Sequence, residues 1–184
     1  MCEHGALAAE RISLINIFAI SGSLRAASVN SMLLRAVQRL APSDFHIGLY
    51  RALGTVPPFN PDLEALGPPA AVVELRSRII SSQSVLIAAP EYAHGVSGVI
   101  KNALDWMVGN ESFVNKPVGL LNASPRASIA QAALRETLIT MSARVVPAAC
   151  VTLDILGSGL DEEGIIRHRE ISTALLRVLR ALQS

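Results

Sequence analysis

Apolar side chains fall into five short runs along the chain, and each run is followed by a stretch with helical spacing. The runs predict strands at residues 14–20, 45–50, 84–89, 117–121 and 148–153. The first, LINIFAI, is almost continuously apolar, which is typical of a strand that is covered on both faces. This pattern predicts a sheet whose strands lie inside the protein.

Helices are predicted between the strands and after the last one. Residues 30–40 and 97–108 have apolar side chains at helical spacing. Three further helices are marked by the same spacing, at Val72, Leu75 and Ile79, at Ala130, Leu134, Leu138 and Met141, and at Ile171, Leu175, Val178 and Leu182. The connection at 51–69 is rich in proline and is predicted to be irregular and exposed.

Strand and helix alternate five times, which predicts an α/β fold with a parallel sheet and helices on both faces. In such sheets, ligands bind beyond the carboxyl ends of the strands, where the strand order reverses. The loops at 21–31, 90–98 and 122–128 are therefore the candidate binding loops.

Length and composition place the chain among globular proteins. Its 184 residues, 51% hydrophobic and 17% charged, suit one domain, predicted at 12–184 behind a flexible tail at 1–11. Cys2 and Cys150 form no disulfide framework and no zinc spacing, which favours a reducing, cytoplasmic location and no metal. A net charge of +1 and the lack of a long apolar run predict neither a nucleic-acid nor a membrane partner.

The loop after the first strand reads SGSLRAASVNS and is unusually polar. It lacks the glycines of a dinucleotide fingerprint and the G-K-S/T of a P-loop. Its hydroxyls, one arginine and one asparagine can instead donate to the oxygens of a phosphate monoester at a helix start. The alternative is that Ser28 or Asn30 is an N-cap and Arg25 a solvated charge.

Two motifs resemble the NADPH-dependent FMN reductase family, which includes chromate, quinone and azo reductases. They are GSLRAASVN at 22–30 and APEYAHGVSGVIKNALDW at 89–106. The resemblance covers about residues 15–153. It implies a flavodoxin-like FMN-binding domain with strand order 2-1-3-4-5.

The resemblance also implies the cofactor site, with no catalytic side chain because FMN carries the chemistry. The FMN phosphate would contact Ser23, Arg25, Ser28 and Asn30, and Ser124 would lie by the polar edge of the ring. The flavin ring and ribityl chain would contact Pro90, Glu91, Tyr92, Ala93 and His94. The expected cofactors are FMN and NADPH or NADH.

Two stretches depart from the family pattern. Many members read P-E-Y-N where this chain has Ala93 and His94, and many have a glycine-rich turn where it has Ser124-Pro125-Arg126-Ala127-Ser128. His94 could favour an anionic reduced flavin or lie in solvent. Arg126 could meet the 2′-phosphate of NADPH or the flavin edge, or be a solvated helix-start charge.

The helix at 97–108 is apolar around much of its girth, which makes a partner chain plausible. The resemblance implies a homodimer or homotetramer formed through this region, with Trp106 at the interface or in the core.

Three functions are compatible with these features. The first is an FMN-dependent NAD(P)H oxidoreductase that acts on a small-molecule acceptor: a quinone, an azo compound, a metal oxyanion or a flavin. The others are a flavodoxin-like electron carrier and a non-catalytic FMN-binding protein. The near-neutral charge argues against a carrier that docks through a single-sign surface.

Overall fold

A computed structural model describes residues 14–183, and its five long strands form one parallel sheet. The seven strands in chain order are β1 (Ile15–Ser21), β2 (Phe45–Tyr50), β3 (Ser84–Ala88), β4 (Glu91–Tyr92), β5 (Gly95–Val96), β6 (Pro117–Asn122) and β7 (Arg144–Thr152). The sheet order β2-β1-β3-β6-β7 confirms the predicted order 2-1-3-4-5. The short β4 and β5 pair separately as an antiparallel hairpin.

Seven helices surround the sheet in the described residues. They are α1 (Val29–Leu40), α2 (Pro61–Ala65), α3 (Ala70–Ser81), α4 (Gly98–Val108), α5 (Ser128–Thr140), α6 (Glu162–Arg167) and α7 (Arg169–Ala181). Short 3-10 turns occur at Leu53–Thr55 and Glu111–Phe113.

Two apolar clusters form the core, one on each face of the sheet. Ile17 and Ala19 of β1 pack with α1, α6 and α7 on one face. Phe18 and Ile20 pack with α3, α4 and α5 on the other. Successive side chains of a strand point to opposite faces, so the continuous apolar run of β1 is explained by burial on both.

The structure corrects four details of the predicted elements. Strand β7 begins at Arg144 rather than at 148, and a register shift against β6 accommodates Pro147 at this edge of the sheet. The hairpin β4–β5 and helix α6 were not predicted. The connection at 51–69 is only partly irregular, since it contains α2 and buries Leu53 and Val56.

Helix α4 fixes the proline-rich connection against the core. The Asn102 side chain accepts a hydrogen bond from the Phe59 amide at 2.7 Å and donates to the Pro57 carbonyl at 3.0 Å. Trp106 Nε1 donates to the same carbonyl at 2.8 Å, and the indole meets the Phe59 ring edge-on at 5.1 Å. This side of α4 therefore contacts the protein's own connection.

The apolar girth of α4 is mostly explained by this packing. Trp106 is 0% exposed and belongs to the core, as do Ile100, Leu104 and Met107. Val108 remains 64% exposed. The apolar residues of α4 are therefore weak evidence for a partner chain, and a homodimer or homotetramer stays a prediction.

The described part of the chain contains no helix long and apolar enough to cross a membrane. Within residues 14–183, no group of three or more His, Cys, Asp or Glu side chains could hold a metal ion. The predicted tail at 1–11 lies outside the described residues.

Candidate functional site

The loop after β1 passes very close to the end of β3 and the start of α4. A Cβ atom added to Gly22 would lie 2.8 Å from Ile100 Cγ1 and 2.9 Å from both Ala89 Cβ and Ser97 Oγ. The Gly22 amide donates to the Ala88 carbonyl at 2.8 Å. The absence of a side chain at this position therefore allows the loop to lie against the sheet.

Helix α1 begins at the end of this loop with an N-cap. Ser28 Oγ accepts a hydrogen bond from the Ser31 amide at 3.2 Å, so Ser28 is a capping residue, as one of the alternatives predicted. Asn30 is 8% exposed, and its Oδ1 is buried with no partner in the described residues. An unsatisfied amide oxygen is costly, and a ligand at the helix start would satisfy it directly or after an amide flip.

The loop after β3 turns back as the hairpin β4–β5. Glu91 pairs with Val96 and Tyr92 with Gly95, which leaves Ala93 and His94 as a two-residue turn. Both have positive φ, at 47° and 57°, as a type I′ turn requires. Neither is a glycine or an asparagine, so the turn holds backbone strain at the edge of the site.

This strain leads to a prediction for Ala93, whose side chain is exposed. Replacing Ala93 with asparagine should stabilise the protein by about 0.5–1 kcal/mol, because asparagine tolerates the left-handed conformation. Ala93→Val should destabilise it, since a β-branched residue suits this conformation poorly. Urea unfolding would measure both, and equal stabilities of the two variants would contradict the strain.

Glu91 joins the hairpin to helix α5. Its Oε2 accepts a hydrogen bond from the Ala130 amide at 2.8 Å, and its Oε1 lies 3.0 Å from His94 Nδ1. The Glu91 side chain is 11% exposed, whereas that of His94 is 77% exposed. The carboxylate thus accepts a hydrogen bond from an N–H group in the first turn of α5 that has no partner within the helix, and negative charge is favourable at this helix end.

The same contacts shift the acidity of Glu91. The hydrogen bond from the Ala130 amide, assisted by His94, holds the pKa of this carboxyl below its ordinary value of 4.5. A depressed folded-state pKa adds stability above the unfolded value, which is lost as pH falls through the folded one. The Glu91 carboxylate therefore stabilises the docked hairpin at neutral pH.

We expect Glu91→Gln to lower the free energy of unfolding at neutral pH, by an amount that shrinks as the pH falls below 4.5. Urea unfolding at a series of pH values would measure this narrowing gap. Glu136→Gln, at an exposed position of α5, is the control and should differ little from the parent protein at any pH. A gap that stays constant with pH would rule out the charged contact.

The loop after β6 is a polar turn held by its own side chains. Asn122 Oδ1 accepts a hydrogen bond from the Ser124 amide at 3.1 Å, and Asn122 Nδ2 donates to the Ala127 carbonyl at 3.2 Å. Ser124 Oγ accepts from the Arg126 amide at 3.3 Å. Side-chain hydrogen bonds thus give this turn, which contains no glycine, a defined shape.

The three loops enclose a cavity of about 440 Å³ at the carboxyl edge of β1, β3 and β6, which we call the first cavity. Eight of the ten predicted site residues line it: Ser23, Arg25, Ser28, Asn30, Pro90, Glu91, Tyr92 and Ser124. Ala93 and His94 do not line it, since they form the turn of the hairpin. The two motifs and the loop after β6 therefore converge on one place.

Sequence reasoning missed several lining residues: Ala27, Val29, Ala89, Asn122, Ala123, Ala127 and Leu156. Asn122 could have been found, because an amide that ends an apolar strand points to a carboxyl-edge site. Leu156 carries no such signal. The chain after β7 brings it to the cavity, where its amide donates a hydrogen bond to the Ala123 carbonyl, and no local sequence pattern indicates this contact.

The first cavity has both cationic and apolar lining groups. Arg25 and Arg126 both line it, and Glu91, whose carboxylate is engaged, is the single acidic lining residue that the structure describes. Pro90, Ala123 and Leu156 provide apolar surface. This suits a ligand with an anionic end and a flat, largely apolar body.

Comparison with known proteins identifies the relatives of this chain. The sequence profile of NADPH-dependent FMN reductases matches residues 15–156. An NAD(P)H-dependent FMN reductase of Pseudomonas aeruginosa is 33% identical over 174 residues, which is 92% of this chain and 94% of that protein. A quinone reductase of Escherichia coli K12 is 30% identical over 139 residues, covering 72% and 73% of the two chains.

A solved structure agrees with these sequence matches. FerB, a flavoenzyme NAD(P)H:(acceptor) oxidoreductase from Paracoccus denitrificans, superposes with a TM-score of 0.69 at 26% identity. The match covers 92% of this chain and 96% of FerB.

Proposed function

The chain belongs to the NADPH-dependent FMN reductase family, and we propose that it binds FMN in the first cavity and passes electrons from NADPH or NADH to a small-molecule acceptor. The observation that carries this proposal is the convergence on that cavity of seven residues from the two family motifs, together with Ser124. The same activity is expected from the resemblance in the sequence.

The part of the first cavity that the loop after β1 forms fits a phosphate monoester. Arg25 supplies a guanidinium, and Ser23 lines the cavity beside it. In the first turn of α1, Ser28 Oγ occupies the Ser31 amide, which leaves the Val29 and Asn30 amides to donate where the helix dipole favours an anion. The orphaned atom of Asn30 is its Oδ1, so this side chain would serve such a ligand after an amide flip that lets Nδ2 donate to a phosphate oxygen.

The apolar part fits a flavin ring. Pro90, Ala123 and Leu156 would contact the flat body of the cofactor, and Ser124 would lie near a polar edge. Tyr92 is 52% exposed at the rim, where an aromatic ring can cover part of a ligand while its hydroxyl reaches water.

The protein's own residues bind and orient the ligand in this proposal. FMN, when bound, supplies the hydride- and electron-transfer chemistry. Glu91 holds the hairpin against α5 and so fixes the distance between two walls of the cavity. Because its carboxylate is engaged, Glu91 is proposed as a positioning residue rather than an acid or a base.

The acceptor is proposed as a class. Relatives of this chain carry the names FMN reductase and quinone reductase, which favours quinones and free flavin. Azo compounds and metal oxyanions are the further acceptors that the sequence predicts. Arg126, on the rim of the first cavity, would favour an acceptor or nucleotide with negative charge.

An absorbance spectrum of the purified protein tests this proposal. We expect a flavin spectrum that bleaches when NADPH is added without oxygen and returns when menadione is added. Colourless protein that cannot be loaded with FMN would refute the proposal. Bound FMN that NADPH and NADH both fail to reduce would favour the electron carrier, and reduced FMN that no acceptor reoxidises would favour the non-catalytic protein.

A further inference from the structure

A second cavity lies on the other side of the loop after β1, above the ends of β1 and β2. Its volume is about 300 Å³, and it is lined by residues from this loop, from α1 and from the segment after β2. Its polar lining residues are Ser21, Ser23, Arg25, Ser31, Arg35 and Arg51, together with Tyr50. Ser21 and Ser31 are hydroxyls of the polar loop that do not line the first cavity.

The second cavity is strongly cationic. Three arginines line it, and none of its described lining residues is acidic. Arg35 is partly neutralised, because its Nε lies 2.7 Å from Glu162 Oε2. Arg25 and Arg51 are exposed, and neither forms an ion pair within residues 14–183. Arg51 therefore gives the second cavity uncompensated positive charge, whereas Arg25 lines both cavities and would share its charge with the FMN phosphate of the proposed function.

A hydroxyl pair completes the cavity wall. Ser21 Oγ and Ser31 Oγ are 2.7 Å apart, and one donates to the other. The pair uses one hydroxyl hydrogen. The second is available to a ligand, because its alternative acceptor, the Ser23 carbonyl, lies 3.4 Å from Ser21 Oγ and is a weak partner.

We propose that the second cavity binds the phosphate-bearing part of a small molecule. Guanidiniums donate in a fork that matches phosphate oxygens, and hydroxyls add further donors. A volume of about 300 Å³ is large enough for a phosphorylated group and small for a whole dinucleotide. The phosphate could belong to the NADPH of the proposed function or to a separate phosphorylated metabolite.

Binding of inorganic pyrophosphate to FMN-loaded protein tests the site directly. FMN would occupy the first cavity, and its absorbance in the same sample reports that occupancy independently. We expect pyrophosphate to raise the Tm of the parent protein. Arg51→Ala should abolish the shift, and Arg51→Lys should restore part of it.

Arg177→Ala is the matched control, because it removes the same charge from an exposed position on α7. It should leave the pyrophosphate shift intact. An absent shift in the parent protein, or an equal shift in the parent and Arg51→Ala, would overturn the proposal. Neither result would bear on FMN binding, which the flavin absorbance reports.

Steady-state kinetics of Arg51→Ala then identify the source of the phosphate. If the phosphate is the 2′-phosphate of NADPH, the KM for NADPH should rise about tenfold, because one charge-assisted hydrogen bond is lost. The KM for NADH, which lacks this phosphate, should not change. An equal rise for both nucleotides would indicate their shared pyrophosphate. Unchanged KM values with a lost pyrophosphate shift would support the site and assign it to a separate phosphorylated metabolite.

Discussion

Replacing Arg25 with alanine is expected to weaken FMN binding by about 10- to 100-fold and to leave riboflavin binding nearly unchanged. The proposed partner of Arg25 is the FMN phosphate, which riboflavin lacks, and charge-assisted hydrogen bonds have about this strength. Quenching of flavin fluorescence during titration of apo-protein would measure both affinities. The ratio of the two losses separates a phosphate contact from a general disturbance of the loop.

Arg51→Ala is the control for this prediction. Arg51 lines the second cavity and not the first, so its removal should affect neither FMN nor riboflavin binding. If Arg25→Ala weakened both flavins equally, the guanidinium would have no phosphate partner. The phosphate site would then rest on Ser23, Asn30 and the start of α1.

Replacing Trp106 with alanine should lower the free energy of unfolding by about 3–5 kcal/mol. The indole is 0% exposed, so its removal leaves a large cavity in the core. The substitution also deletes the hydrogen bond to the Pro57 carbonyl and the edge contact with Phe59. Urea unfolding with linear extrapolation would measure the loss.

Trp106→Phe separates packing from hydrogen bonding. It keeps an aromatic ring, and Asn102 still donates to the Pro57 carbonyl. Its cost should therefore be clearly smaller than that of Trp106→Ala. A loss of less than about 1 kcal/mol for the alanine variant would show that the core can close around the missing ring.

The sheet was predictable because each long strand is a separate apolar run. The order of the strands came from the family resemblance, since periodicity does not say which strands are neighbours. The hairpin β4–β5 escaped notice because two-residue strands have no periodicity. The start of β7 was placed too late because Pro147 is a poor strand residue, and only its position at a sheet edge makes it acceptable.

The site was predictable to the extent that its residues lie in contiguous motifs. Ser23, Arg25, Ser28 and Asn30 are close in sequence, so one loop brings them to the first cavity. The contact of Glu91 with the Ala130 amide joins residues from different loops, and no local pattern indicates it. The polar loop after β1 contributes side chains to both cavities. Which side chain lines which cavity depends on the alternating faces of β1 and on where β2 ends, and no local pattern gives this either.

The close packing of Gly22 has a consequence for how this enzyme could be altered. Any side chain there would collide with Ala89, Ile100 and Ser97, so directed evolution cannot adjust the loop of the proposed phosphate site through this position. The loop after β6 has no such restriction at Pro125 and Arg126, which are exposed, and Arg126 lines the first cavity. A mutant library that seeks a new acceptor should therefore randomise residues 125 and 126 and keep glycine at position 22.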